Sequence, residues 1–304
     1  MSVRVAIYGR TYLDAELAIE LAVLAAGKGK VDVEVVPVLG GFGCNAARAL
    51  ARRLPPRSIE LVTAIPALDR ARLRASVPAT VSLASIVRRT LAWPPISVIV
   101  NPAAECKLLR GSGEDDAAVW RLARIGRAAR SAPLHVLGRV PIRFVRELRA
   151  HTRATGALLA WCGGDGLPLV LERQLDLVCV NTAEARRMTG LFDAEPASLA
   201  QVLAARARPG GVRLVTGRAE SPTVVAHHQP GGEITSYLRA PEPIAAEQIR
   251  TKKGVGDVFA ATFLVDSCFD ARGRWRDELD VASGLAAAQR AASRFLTRAE
   301  GSAP

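Results

Sequence analysis

Gly254-Val255-Gly256-Asp257 leads straight into the apolar run Val258–Val265. Two glycines let the backbone turn tightly, and the run after them reads as a buried helix whose small Ala260 and Ala261 allow close packing on a neighbour. Such a turn aims several free backbone N–H groups, at the positive end of a helix, toward one point where an anion fits. Asp257 adds a carboxylate beside that point, at the first helical residue. A phosphate held next to a base is what phosphoryl transfer to a hydroxyl needs. The same residues also suit a plain glycine turn with Asp257 as a helix cap.

A second glycine cluster, Gly40-Gly41-Phe42-Gly43-Cys44-Asn45-Ala46, joins a strand to a helix. Its core, Gly41-x-Gly43-x-x-Ala46, could pass for a dinucleotide fingerprint. Against that, the strand before it alternates as a half-exposed strand does, and Ile59–Ala64 carries Glu60 at its start rather than an acid at its end. The other reading is that the glycines admit a ligand close to the backbone while Asn45 supplies an amide in the first helical turn, which suits a hydroxyl-rich ligand. Asn181 and Glu184 have the spacing of a capping box. His227-His228, before Pro230-Gly-Gly232, reads as a polar surface turn rather than a metal site, and Asp165 as a loop residue. Trp93-Pro-Pro95 reads as aromatic packing, with shaping of a ligand pocket as the alternative.

These residues must be positioned by a regular framework. Strands are expected at Val3–Tyr8, Val31–Leu39, Ile59–Ala64, Ile96–Val100, Pro133–Leu137, Ala157–Ala160, Leu175–Val180 and Val212–Val215. Helices are expected at Asp14–Ala26, Gly43–Leu54, Glu114–Ala129, Ile142–Thr155, Thr182–Thr189, Ser198–Ala207, Asp257–Phe269 and Asp277–Leu296. Short apolar strands alternating with helices predict an α/β fold, a doubly wound parallel sheet sandwiched by helices. One domain over residues 1–304 is expected, with Ala299–Pro304 as a frayed tail.

No apolar run approaches ~20 residues, so no membrane span is expected. The N-terminus reads as a first strand rather than a signal peptide. Five scattered cysteines without a CxxC pair suggest neither a disulfide framework nor a zinc site and point to a reducing cytoplasm. The net charge of +12 invites a nucleic-acid partner. Only five of the 41 basic residues are lysines, however, and the arginines are strewn along the whole chain, as in the exposed helical face of Arg121–Arg130. No nucleic-acid partner is expected.

In this order along the chain, the motifs resemble those of the ribokinase-like (PfkB) family of sugar and nucleoside kinases. Gly40-Gly41-x-Gly43-x-Asn45 and Gly254-Val255-Gly256-Asp257 look like its two motifs, Leu177–Glu184 like its strand-then-Asn-x-x-Glu element, and Val212–Gly217 like its nucleotide-side strand. Asp14 sits where the family carries a substrate-binding aspartate. The resemblance implies a ribokinase-like fold with a small β lid from about residues 12–40 and 90–106, and an ATP-dependent kinase acting on a hydroxyl of a sugar, a sugar-like polyol or a nucleoside. It implies Asp257 as base and the N–H groups of Gly254, Val255 and Gly256 as anion hole. Asp14, Gly40, Gly41 and Asn45 would bind the acceptor, and Thr216, Gly217 and Asn181 would lie on the nucleotide side. Asn181 and Glu184 would organise Mg2+ through water, and a homodimer would form through the lid. A non-catalytic ligand-binding protein on this fold and a dinucleotide enzyme are the alternatives.

The chain departs from the family pattern at several points. Thr251-Lys252-Lys253 stands where the late motif usually opens with Asp-Thr, Val255 replaces an alanine, and Ala64–Asp69 replaces a Gly-x-Asp-x-x-Gly element. Thr216-Gly217-Arg218-Ala219 replaces Leu-Gly with a later glycine, and the helical pattern of Asp14–Ala26 falls where lid strands are usual. Lys252 and Lys253 are expected to place fixed positive charge on the nucleotide side near the anion hole, so that no monovalent cation is required.

Overall fold

The computed structural model of the 304-residue chain describes residues 2–9, 11–17, 36–66, 70–83, 87–89, 96–100, 107–110, 120–164, 166–217, 221–249 and 254–297. In chain order the elements are β1 (Val5–Tyr8), β2 (Tyr12–Leu17), β3 (Val36–Gly40), α1 (Phe42–Leu50), β4 (Ile59–Val62), β5 (Ala64–Pro66), α2 (Arg70–Ser76) and β6 (Val87–Arg89). There follow β7 (Ile96–Val100), β8 (Lys107–Arg110), α3 (Arg127–Arg130), β9 (Leu134–Leu137), α4 (Ile142–Thr155), β10 (Leu158–Trp161), α5 (Leu169–Glu172) and β11 (Leu177–Asn181). The last are α6 (Thr182–Thr189), α7 (Pro196–Arg206), β12 (Val212–Thr216), β13 (Thr223–His228), β14 (Ile234–Arg239), α8 (Val255–Cys268) and α9 (Val281–Leu296).

Eight strands form the central sheet in the order β14-β13-β12-β11-β10-β9-β1-β4. The six from β12 to β4 run parallel, and each buries both faces. In β1, for example, Val5 and Ile7 enter the core on one side of the sheet while Ala6 and Tyr8 enter the core on the other. That double burial is why these strands read as continuous apolar runs. The chain order reverses direction around β1, so the carboxyl ends of β1 and β9 border the crevice where open α/β sheets bind ligands.

The expectation of an all-parallel sheet needs correction at one edge. β13 pairs antiparallel with β12, and β14 antiparallel with β13. His227 and His228 end β13 rather than lying in a turn, and His228 Nδ1 lies 2.9 Å from the Ala207 carbonyl oxygen. The reversal falls one residue later, where Gln229 N–H donates to Glu233 O across Pro230-Gly-Gly232. The Asp14–Ala26 helix is likewise not formed at its start. Tyr12–Leu17 is a strand held on both sides, antiparallel to β3 and parallel to β7, and residues 18–26 lie outside those described. Paired backbone on two flanks outweighs a local helical spacing of leucines. In Glu114–Ala129, residues 122–124 make a single 3-10 turn, and Gly126, extended, precedes the one-turn α3. Ile59–Ala64 also divides, ending in the main sheet at Val62 and resuming in a two-stranded β5-β6 sheet.

β2, β3, β7 and β8 form a separate four-stranded sheet, β3-β2-β7-β8, so segments from within 12–40 and 90–106 share one sheet that extends to Arg110. Among the described residues no helix is long and apolar enough to cross a membrane.

Charges are also buried inside this framework. Arg213 and Glu172 pair at 3.0 Å with 0% and 1% of their side chains exposed, and Arg213 Nη2 donates to the Glu172 carbonyl oxygen as well. On the α4 side of the sheet, the Tyr8 hydroxyl lies 3.0 Å from His135 Nδ1, and both side chains are fully buried. Burial, with the neighbouring His151 adding to it, lowers the His135 pKa to about 4. Because the folded value lies below the ordinary one, the folded state resists protonation. The stability that depends on neutral His135 is therefore complete above pH ~6.5 and is lost as pH falls toward 4, by on the order of 3 kcal/mol. Urea melts between pH 7 and pH 4 should show the wild-type protein losing more stability than His135→Gln; equal slopes would assign the acid sensitivity elsewhere.

Candidate active site

Helix α8 is apolar through its middle, where Val258–Val265 is buried throughout, and Asp266 near its end pairs with Arg53. It packs between α1 and α9. The α9 contact is so close that a Cβ on Gly284 would lie 2.0 Å from Ser267 Oγ. A helix buried through its central turns is fixed in position, so its N-terminus is a rigid platform. Gly254 caps it at φ 81°, ψ −2°, a left-handed conformation that glycine adopts without strain. The first intrahelical bond runs from Val258 N–H to Gly254 O at 3.0 Å. The N–H groups of Val255, Gly256 and Asp257 therefore precede the helical ladder. A Cβ added at Gly256 would meet nothing within 4 Å, which leaves room in front of that turn.

The first glycine cluster approaches this platform from the other motif. Gly40 ends β3, paired with Tyr12, and Gly41 caps α1. Gly9, at the end of β1, abuts the start of α1: a Cβ there would lie 3.1 Å from Gly43 N. Asn45 Nδ2 donates to Asp257 Oδ2 at 2.8 Å, and its amide also presses on Gly254, where a Cβ would come within 2.8 Å of Nδ2. Asn45, expected to serve the acceptor, thus touches the candidate base directly, leaving its second amide hydrogen for another partner.

Phe42 stands over the strand ends. A Cβ on Gly138, just beyond β9, would lie 2.6 Å from its ring. The ring is half-buried and packs against the core on that side.

On the nucleotide side, Asn181 and Glu184 make a complete capping box at the start of α6, with both bonds 2.9 Å long. Glu184 spends Oε2 on that cap. Its Oε1 faces the bare Cα of Gly164, 3.0 Å from where a Cβ would stand. Thr216 lies beside Asn181 in register, and its carbonyl accepts from Thr182 Oγ1 at 2.9 Å. Gly217 turns so sharply that a Cβ would lie 2.2 Å from Ser221 O.

Cys162 links the two halves. Its thiol, hydrogen-bonded to Cys179, is pushed well above the ordinary thiol range, first by burial and then by Cys179 and the negative charges of Asp257 and Glu184. Both carboxylates are thus close enough to Cys162, at the end of β10, for their charge to act on it. The scattered positions of these cysteines in sequence hid this cluster; the parallel register, which pairs Trp161 with Val178, sets Cys162 beside Cys179. Arg48 was also hidden, since it reads as part of the outward arginine face of α1. Instead its Nε donates to Ser76 O at 2.6 Å and its Nη1 to Asn45 Oδ1 at 3.4 Å.

Asp14 lies in the middle of β2, in register with Val38 and Ser97, so it does not cap a helix. Lys252, Lys253, Asp165 and Trp93-Pro-Pro95 lie outside the described residues. Among the described residues no group of three or more His, Cys, Asp or Glu is arranged to hold a metal.

No protein-family model matches the sequence, and no curated protein matches it. Solved structures do match. Adenosine kinase from Schistosoma mansoni in complex with 2-fluoroadenosine superposes with a TM-score of 0.76 at 15% identity, over 100% of this chain and 98% of that one. Arabidopsis thaliana ribokinase complexed with ribose and ATP gives 0.73 at 16% identity, over 99% and 94%. A PfkB protein from Polaromonas sp. JS666 gives 0.67 at 16% identity, over 97% and 96%. The fold is ribokinase-like: a mixed eight-stranded sheet between helices, with the motif order of the sequence carried by the elements described above.

The two glycines of the α8 turn differ in what they tolerate. Gly254→Ala must hold alanine at positive φ and push Asn45 off Asp257, so a loss of ~1–3 kcal/mol is expected. Gly256→Ala meets open space and should be within ~0.5 kcal/mol of wild type, or slightly stabilising. Denaturant melts of the two variants check the contrast, and equal effects would contradict it.

Proposed function

We propose that the protein is an ATP-dependent kinase that transfers the γ-phosphate to a hydroxyl of a sugar or sugar-like acceptor. The observation that carries this reading is the junction of the two glycine motifs, where Asn45 donates to Asp257 at the open first turn of a helix buried through its middle. Asp257 acts as base, accepting the acceptor's hydroxyl proton as that oxygen attacks phosphorus. The N–H groups at Gly254, Val255 and Gly256 hold the charge that collects on the transferring phosphoryl group. Asn45 turns its second amide hydrogen toward the acceptor, and Asp14, Gly40 and Gly41 complete the acceptor side. Thr216, Gly217 and Asn181 line the nucleotide side.

Glu184, with Asn181, would hold Mg2+ through water, and the ion would neutralise phosphate charge; a carboxylate at the start of α6, with Oε1 lying against Gly164, suits that role. The four-stranded sheet serves as a lid that excludes water during transfer. Its strand edges favour pairing with a second copy as a homodimer. The partner is a small hydroxyl compound, with neither nucleic acid nor membrane involved. The cysteine usage favours the cytoplasm.

A nucleoside acceptor is the second reading. The half-buried ring of Phe42 over the strand ends favours it, because a base can lie against an aromatic face.

ADP release with Mg·ATP should be measured against pentoses, hexoses, polyols and nucleosides, for wild type beside Asp257→Asn. Turnover on one class, falling by ~100-fold or more in the variant, is expected. ATP binding without turnover on any acceptor would favour the non-catalytic reading, and NAD(H) binding without ATP binding the dinucleotide one. In the same assay Lys252 and Lys253 should make added K+ unnecessary, with rates changing less than about twofold. A many-fold rise with K+ would remove that role from the lysines.

A further inference from the structure

We infer that Arg48 is a positioning residue: by holding the Asn45 amide in one orientation it aims Asp257, and it ties that aim to the end of helix α2. The inference rests on the kinase reading of Asp257.

A carboxamide can present either its oxygen or its NH2 to a neighbour, and the two orientations differ by a half-turn of the side chain. At Asn45 both neighbours select the same one. Asp257, an acceptor, lies 2.8 Å from Nδ2; Arg48, which can only donate, lies 3.4 Å from Oδ1. Reversing the amide would set oxygen against carboxylate and NH2 against guanidinium, two repulsions in place of two bonds. The result is a directed chain, guanidinium to amide to carboxylate, charged at both ends and strengthened by that polarity. Room around the amide is short as well, because Asn45 already presses on Gly254.

What anchors the chain is the other arm of the same guanidinium. Arg48 Nε donates to Ser76 O at 2.6 Å, and Ser76 is the last residue of α2. Helix α2 packs in turn against β3, a strand of the four-stranded sheet. One planar group thus grips two acceptors, one on each side, which a lysine ammonium on a flexible stem cannot reproduce. A base displaced by a fraction of an ångström still binds its substrates but attacks less well. The effect of losing Arg48 therefore belongs in kcat rather than in either KM.

The test combines a double-mutant cycle with a measurement that does not need turnover. Arg48→Met should lower kcat on the order of tenfold while both KM values stay within about twofold, and Arg48→Lys should fall between. Asn45→Ala with Arg48→Met should be no slower than Asn45→Ala alone, because both changes cut one chain. Thermal melts of each variant exclude loss of folding as the cause. Losses that multiply, KM values that rise in step, or an Arg48→Met kcat within twofold of wild type would overturn the inference.

Separately, the side-chain amide protons of Asn45, assigned by nuclear magnetic resonance from their absence in Asn45→Asp, report the chain directly. One should be shifted downfield in wild type and return toward the free-amide position in both Arg48→Met and Asp257→Asn. An unchanged signal in Arg48→Met would overturn the inference even if the kinetics agreed. If the wild-type protein turns over nothing, the kinase reading falls, and the amide signal alone decides whether Arg48 holds Asn45.

Discussion

Asn45 and Asp257 are separated by 212 residues, yet a single 2.8 Å hydrogen bond connects them, and much of the molecule is arranged to make that bond possible. It requires α8 to be fixed along its length, which its burial between α1 and α9 achieves. It requires α1 to begin at the sheet, which the contact of Gly9 with Gly43 permits. It also requires the chain to enter α8 through a left-handed residue, so that the carboxylate of Asp257 and the free N–H groups share one side of the turn. Remove any of these and a carboxylate remains, but not one placed beside an anion site.

The electrostatics around that point are uneven. The Cys162 thiol is raised first by burial and by Cys179, and the charges of Asp257 and Glu184 add to it, so negative charge from two motifs is felt at one point. A highly charged anion such as a nucleotide needs compensation there. Backbone N–H groups at the α8 turn supply part of it, with partial charges that cost no reorganisation when a ligand arrives. The buried Arg213–Glu172 pair is a different case: it neutralises itself at 3.0 Å and leaves no field to spare for the crevice.

Much of this was legible in the sequence, for physical reasons that can be named. Strands buried on both faces announce themselves as apolar runs, so β1, β4, β9, β10, β11 and β12 fall where composition puts them, within a residue or two. The glycine turns before α1 and α8 were visible because few other uses explain glycines between a strand and an apolar helix. Elements decided by distant partners were not legible. Tyr12–Leu17 becomes a strand because β3 and β7 pair with it on either side, and no local spacing records that. Thr223–His228 and Ile234–Arg239 are strands by virtue of their antiparallel pairing with each other, which the polar turn between them does not announce. At the site, Arg48 looked like one more exposed arginine at i+3 from Asn45; only the position of Ser76, 28 residues on, gives its guanidinium a second grip.

The place of α8 in the chain bears on how the molecule is made. On one side of the central sheet, Val5, Ile7, Leu134, Val136, Ala160, Leu177, Val212 and Leu214 lie in the same core as Phe259, Phe263 and Leu264 of α8. All of the strands precede that helix. As the polypeptide leaves the ribosome, the opposite side of the sheet can be covered by α4 and α7 while this side still waits for its last large component. Until α8 is made that face is only partly covered, by α1 through Ala46, Ala47 and Leu50, and contacts between the two ends of the chain form last, when the search is longest. Closure of that face and completion of the Asn45–Asp257 bond are one event, so a chain that stops short of α8 lacks both the central helix of that core and its carboxylate.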